Sequence, residues 1–343
     1  MTGAPLTKGH ETINLEQAEA NLQRINKNLR TTFINLNLTD EELVTLRDRL
    51  LGIGGHEDRQ AFEPANRSLR RIFSNGSFEF GGRFYGGWWQ GIPGELRRFI
   101  EIDGAITREI DYSSMQASLM YAMVGEAPLE DAYRVEGWPD GVRPYAKKAF
   151  NQLLNSDETS RNPKQWHRFA PNLDPEPLPR DWQQLTIHQK NQARHKAFED
   201  MFERRYFDLL HDLKEIHQPI DHYFFSKAWG MVQRLDSDIA EEVMIKLFTA
   251  EFPVTALPIH DSFIVRRDGE QILERTMKDV FEEKMGVQCD AKLCEAVYDP
   301  VDGEERPRLI NMADLFDETK IDLEERRTYH TREYEWISVH GSL

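Results

Sequence analysis

An α+β fold, an antiparallel sheet with packed helices, is what three features of the sequence predict together. Segments with helical period are interrupted by short β-rich runs. Two of those runs fold about tight turns, at Asp103-Gly104 and at Pro258-Ile259-His260-Asp261-Ser262. The chain has 343 residues and 39% hydrophobic content, enough for a substantial core.

The elements follow in order. Residues 13–32 and 40–52 read as helices, the second opened by Thr39 with Glu42 at capping-box spacing. They form an N-terminal helical arm assigned to residues 1–75. Between Ser74 and Pro93, glycines, aromatics and prolines break the helical period. Phe99 to Ile110 then reads as two strand-like runs about Asp103-Gly104, which delivers Asp111 to a strand end. Met115, Leu119, Met120 and Met123 have helical spacing, giving a strand, a carboxylate and then a helix. The stretch 125–190 is irregular apart from a helix from Pro144 to Leu154, and an insertion of about 125–225 carries function on loops. Residues 190–216 and 221–251 are helical in pattern, the latter ending before Phe252-Pro253. Val254 to Arg266 reads as a hairpin whose turn presents His260 and Asp261. A helix from about Gly269 to Met285 and a short strand within 288–297 complete a body spanning 76–300. Residues 301–343 form an acidic C-terminal extension.

A net charge of −16, from 43 basic and 59 acidic residues, argues against a protein that coats nucleic acid by bulk attraction. Any nucleic-acid surface is therefore local. Basic residues cluster at Arg67, Arg70, Arg71, Arg83, Arg97 and Arg98, and again at Arg143, Lys147, Lys148, Arg161, Lys164 and Arg168. Cys289 and Cys294, without other thiols, fit buried small hydrophobes in a reducing compartment rather than a disulfide framework or zinc site. The N-terminal residues lack an apolar signal core and no stretch approaches the ~20 apolar residues that span a bilayer, so a cytoplasmic location is expected.

Two carboxylates brought together at strand ends, Asp111 and Asp261, are what a pair of magnesium ions needs in phosphoryl-transfer chemistry. Each has a plainer reading. Asp111 suits a strand-to-helix cap, and His260 a core or turn residue. Lys147 and Lys148 suit a solvated helix face. Trp88 and Trp89 serve equally as core anchors or base-stacking platforms. Arg83, after Gly81-Gly82, is harder to explain structurally, because Gly admits close backbone approach and Arg is the residue for phosphate.

Five segments in order, over roughly residues 80–300, resemble family A DNA polymerases and the related single-subunit phage-type RNA polymerases. Gly82-Arg83-Phe84 with Trp89-Gln90-Gly91-Ile92-Pro93 is similar to the family's Thr-Gly-Arg and Leu-Gln-Asn-Ile-Pro segment at the primer-template. Asp111-Tyr112-Ser113-Ser114-Met115-Gln116 resembles its first catalytic motif, Asp-Tyr-Ser-Gln-Ile-Glu. Lys148-Ala149-Phe150-Asn151 resembles the Lys-Ala-Ile-Asn of the fingers helix. Gln233, Asp238, Ile239 and Met244 match the spacing of its Gln-Gly-Thr-Ala-Ala-Asp-Ile helix, and Ile259-His260-Asp261-Ser262 its last motif. The resemblance implies a right-hand polymerase palm with reduced fingers and a thumb-like N-terminal arm. It also implies metal binding by Asp111, Asp261 and the Tyr112 carbonyl. Arg143 and either Lys147 or Lys148 would contact the triphosphate, and Gln116 the nucleotide. Arg83, Gln90, Gln233 and His260 would contact primer and template.

The chain departs from the family in three ways. Arg143 lies four positions before Lys147 and five before Lys148, and Asn155-Ser156 replaces the helix's Tyr-Gly ending. Gln116 and Ser262 stand where DNA polymerases carry Glu; His-Asp-Ser is similar to the RNA polymerases, while Gln116 matches neither branch. The bulk of a full fingers domain and any exonuclease are lacking. The implied activity is template-directed nucleotidyl transfer with two Mg²⁺ ions (or Mn²⁺), acting on a nucleic-acid template and primer with nucleoside triphosphates and leaning towards RNA synthesis or priming. The alternatives are a small DNA polymerase of this family and a palm-derived replication factor that holds nucleic acid without catalysis.

Overall fold

The computed structural model describes residues 13–39, 42–43, 46, 66–162, 169–171 and 182–293. In chain order the strands are β1 (Ile34–Leu36), β2 (Arg70–Phe73), β3 (Gly81–Tyr85), β4 (Ile100–Ile102), β5 (Ala105–Tyr112), β6 (Leu257–Ile259), β7 (Ser262–Arg266) and β8 (Ala291–Leu293). The helices are α1 (Leu15–Thr31), α2 (Met115–Met123), α3 (Arg143–Asn155), α4 (Ile187–Phe202), α5 (Tyr206–Ile216), α6 (Trp229–Thr249) and α7 (Glu270–Met285). Mixed helix and antiparallel sheet are therefore both present, as the sequence predicts.

The main sheet runs β1-β4-β5-β7-β6, with β8 pairing against the end of β5. Its centre is the β5/β7 ladder, in which Asp111 lies opposite Ser262 and Glu109 opposite Ile264. Asp103 and Gly104 turn β4 into β5 with φ of 47° and 75°, the left-handed values that a two-residue hairpin loop requires. Successive side chains of β5 point to opposite faces. Tyr112 goes into the core, where its ring lies 5.9 Å from Phe281 of α7 and its hydroxyl donates to the Met277 carbonyl at 2.6 Å. Glu109 and Asp111, three positions and one position before Tyr112 in that alternation, take the other face.

Strand β3 packs against α6, an approach that depends on Gly82 at φ 84°, where a Cβ would meet the Phe73 ring at 2.8 Å and Ser237 Oγ at 3.0 Å. Trp89, with 0% exposure, is a core anchor whose indole N–H donates to the Pro258 carbonyl at 3.1 Å. This favours packing over base stacking for Trp89.

Two parts of the fold escape the pattern reading. Residues 34–36 form an edge strand, all three buried, that pairs with β4; a run so short and so evenly buried shows no alternation. Residues 70–85 form the β2–β3 hairpin, where the sequence shows only a break in helical period after Ser74. The capping box is present, with Thr39 N–H donating to Glu42 Oε2 at 2.7 Å and Glu42 N–H to Thr39 Oγ1 at 3.1 Å. Residues 42–43 and 46 of the expected 40–52 helix are helical, and its other positions, the 301–343 extension, Lys164, Arg168 and Cys294 lie outside the described residues. Cys289 is buried and free. No helix among the described residues is long and apolar enough to cross a membrane.

Candidate active site at the Asp111 cleft

A cleft of about 1030 Å³ opens at the end of β5 and is lined by Asp111 to Ser114 and by Tyr133, Arg143 and Lys147 among others. Asp111 enters it from the strand end. Ser114, at φ 51°, breaks the chain sharply from strand into α2. Asp261 arrives from the two-residue β6–β7 turn, where His260 has φ 59°. The Tyr112 N–H donates to the Asp261 carbonyl at 3.3 Å, which fastens that turn beside the β5 end. The sheet thus brings together the two carboxylates that the sequence singles out.

Two further carboxylates join them. Glu109 is 2% exposed; its Oε1 accepts from Ser262 Oγ at 2.7 Å and Arg97 Nη1 at 3.0 Å, while its Oε2 is buried without a hydrogen-bond partner. Asp236 of α6 is 1% exposed and pairs with Arg83 at 2.6 Å. Burial first, and then the charge of Asp261, push Asp111 up to about 7, with Lys147 pulling the other way and Glu109 and Asp236 adding to the rise. Burial also raises Asp236, against the pull of Arg83. A set of desolvated, mutually repelling carboxylate oxygens fits a hard divalent cation, which prefers oxygen ligands and relieves that repulsion.

The remaining expected residues fall into distinct places. Lys147 is exposed on α3 and lines the cleft, its Nζ 6.0 Å from the centre of the Tyr133 ring; Lys148 is half-buried and does not line it. Of the two lysines that the sequence offers, Lys147 is therefore the one that faces the cleft. Arg143 lines the cleft but is held in a two-bond pair with Asp131, at 2.7 and 3.1 Å. Tyr112 contributes only backbone, since its side chain is in the core. His260 presses its ring edge towards Tyr85 at 5.7 Å and leaves Nδ1 buried and unpartnered; burial, then Arg83, hold it below the usual imidazole value. Gln116 and Gln233 are half-buried on α2 and α6, and Gln116 is not part of the cleft lining.

Gln90 has another occupation. Its amide donates to the Phe84 and Pro258 carbonyls, both at 3.0 Å, and accepts from Gly86 N–H at 3.0 Å, so it staples β3 to the strand that leads into His260. The first basic cluster is likewise largely internal. Arg67 donates to the Thr32 carbonyl at 3.0 Å. Arg71 binds Asp238 at 2.9 Å and Glu241 at 2.8 Å, with its side chain 5% exposed, and Asp238 also pairs with Arg234. Arg97 is spent on Glu109. These arginines are turned onto carbonyls and carboxylates of the fold itself instead of forming a surface for phosphates.

Glu109 and Asp236 were not anticipated. The signal for Glu109 is its position two before Asp111 on a strand, hence on the same face. That for Asp236 is an acid inside the buried stripe Val232, Leu235, Ile239 and Ala240 of α6.

No protein-family description matches the chain, and no curated protein does. Among solved structures it is similar to the POL domain of Pol1 from M. smegmatis in complex with DNA primer-template and dNTP, at 14% identity and TM-score 0.38, over 74% of this chain and 50% of that one. The chain therefore spans half the length of that structure. At this level of likeness nothing about chemistry transfers, and the site is read from its own geometry.

Proposed function

We propose that the protein is a magnesium-dependent, template-directed nucleotidyltransferase built on a reduced polymerase palm. The observation that carries this reading is that Asp111, which lines the cleft together with Lys147, stands within the electrostatic reach of Asp261 from the turn fastened beside the β5 end. Asp111 and Asp261, with the Tyr112 carbonyl, would hold two divalent ions, and Glu109 backs them. When bound, such ions activate a 3′-hydroxyl and stabilise the leaving pyrophosphate. Lys147 supplies positive charge to the triphosphate across the cleft, and Arg143 would join it on leaving Asp131. Arg83 and His260 stand at the Asp261 side, where a primer end belongs, and neutral His260 can accept or donate a hydrogen bond there. Gln233 lies one turn before Asp236 on α6, consistent with a template-side role.

The test is incorporation of labelled nucleotide by the purified protein on primed and unprimed DNA and RNA, with NTPs and dNTPs supplied separately. Magnesium-dependent incorporation on at least one combination is expected. Nucleic-acid binding without incorporation on any of them would instead establish a non-catalytic binder.

Lys147→Ala is expected to raise the KM for nucleotide about 10- to 100-fold, the scale of one charge-assisted hydrogen bond, with template affinity unchanged. Lys148→Ala should stay within about twofold of the native protein, because neighbouring helical residues point about 100° apart. Equal, mild effects from both would show a solvated face with no part in catalysis.

Sugar choice is inferred from three motif positions. The expected carboxylate is Gln116, the expected fingers tyrosine is Asn155-Ser156, and the Ser262 hydroxyl is turned onto Glu109. Ribonucleotides are expected to be used at least as well as deoxyribonucleotides, with discrimination of no more than roughly 1–3 kcal/mol either way. Side-by-side single-turnover rates measure this. A deoxyribonucleotide preference of several orders of magnitude would place the protein with DNA polymerases.

A further inference from the structure

Helix α6 buries one carboxylate to which the proposed chemistry gives no task. Asp236 is 1% exposed, and its Oδ2 accepts from Arg83 Nε at 2.6 Å and lies 2.6 Å from Arg83 Nη2. Its other oxygen, Oδ1, is buried with no hydrogen-bond partner. The Arg83 side chain is 13% exposed and, besides its pair with Asp236, feels the charge of Asp261. An Arg in that place has a strong alternative, because its planar fork matches a carboxylate in two parallel bonds. Left to itself, Arg83 would close on Asp261 and compete with any cation for those oxygens. The buried pair prevents this: a salt bridge sealed from water is costly to break, since either partner left alone is an uncompensated buried charge. Gly82, where a Cβ would meet Ser237 Oγ of α6 at 3.0 Å, allows β3 to lie close enough to α6 for the pair to form.

We propose that Asp236 is a positioning residue that anchors Arg83 by its Nε–Nη2 edge and so keeps Asp261 free for a divalent cation. This rests on the two-ion reading above. The anchor fixes Arg83 before any substrate arrives.

The test uses Mn²⁺ binding, followed by electron paramagnetic resonance, together with the Arg83 Nε–H signal in ¹⁵N-resolved spectra during Mg²⁺ titration. In the native protein the Nε–H signal should not respond to Mg²⁺. In Asp236→Asn, Mn²⁺ binding should weaken about tenfold or more, the equivalent of about 1.4 kcal/mol. The Nε–H signal should now shift on adding Mg²⁺, as the cation displaces the guanidinium from Asp261. The double variant Arg83→Gln/Asp236→Asn should recover Mn²⁺ binding to within about threefold of native, the competitor being gone. Asp236→Glu keeps the charge but displaces the anchor by one methylene, and it should weaken binding as well, which also covers failure of Asp236→Asn to fold. Native affinity in the folded Asp236 variants, a loss that the double variant does not repair, or an Arg83 signal indifferent to Mg²⁺ in Asp236→Asn would each overturn the proposal. An unrepaired loss would make Asp236 a ligand in its own right. Failure of the native protein to bind Mn²⁺ at all would overturn the two-ion reading itself, and this proposal with it.

Discussion

Asp111→Asn and Asp261→Asn should each reduce magnesium-dependent nucleotide incorporation by at least about 10³-fold, because each removes several kcal/mol of charge stabilisation at the reacting phosphate. Asn has the shape of Asp and preserves the backbone ladder that sets position 111 opposite Ser262, so the sheet should survive both changes. What disappears is one negative charge of a pair that the fold has placed together at electrostatic cost. Neither Glu109 nor Asp236 can substitute, since Glu109 is committed to Arg97 and Ser262, and Asp236 to Arg83. Rapid-quench incorporation rates, with circular dichroism to verify the fold, measure the effect. Near-native turnover by either variant would remove the two-carboxylate assignment.

The same Asp111→Asn change should make the cation-free protein more stable at neutral and alkaline pH. The folded-state value of Asp111, about 7, is raised above the unfolded carboxylate value of about 4. A raised acid favours the folded state fully only below the unfolded value, and that contribution is lost as pH rises through the folded one. From about pH 4 to pH 8 the native protein should therefore lose stability relative to Asp111→Asn. The gap should approach zero at about pH 4 and reach about 1–4 kcal/mol at about pH 8, the upper end being three pKa units at 1.36 kcal/mol each. Mg²⁺ should narrow the gap at the alkaline end by stabilising only the native protein. Thermal melts across pH with a chelator and with Mg²⁺ measure both effects. A native protein that is the more stable of the two at about pH 8 without cation would show that Asp111 is compensated by the protein itself.

How far the sequence could be read depended on whether a residue's partner was local. Asp111 and Asp261 were legible because a strand end and a two-residue turn are short-range features, carried by Asp103-Gly104, the β5 alternation and the His260-Asp261 step. Helices α1, α2, α3, α6 and α7 were legible from their helical pattern. The choice between Lys147 and Lys148 was not legible, because it depends on where α3 sits against Tyr133, more than ten residues away in sequence. The inward turn of Arg71 and Arg97 was hidden for the same reason. Their partners Glu241 and Glu109 come from other elements, and a basic cluster in sequence says nothing about which acids the fold will bring to it. Gln90 shows a third limit. A motif position marks a residue without saying whether its side chain meets a ligand or the protein's own backbone, and here it meets three backbone groups.

Template direction is the claim on which the rest depends, and primer extension tests it most directly. Four primer-templates differing only in the first unpaired template base would be offered each nucleotide singly, with Mg²⁺, to the native protein. The account predicts that the nucleotide added follows Watson–Crick complementarity to that base, and that addition ceases in Asp111→Asn. Addition of the same nucleotide whatever the template base, or no addition by the native protein on either DNA or RNA, would contradict it.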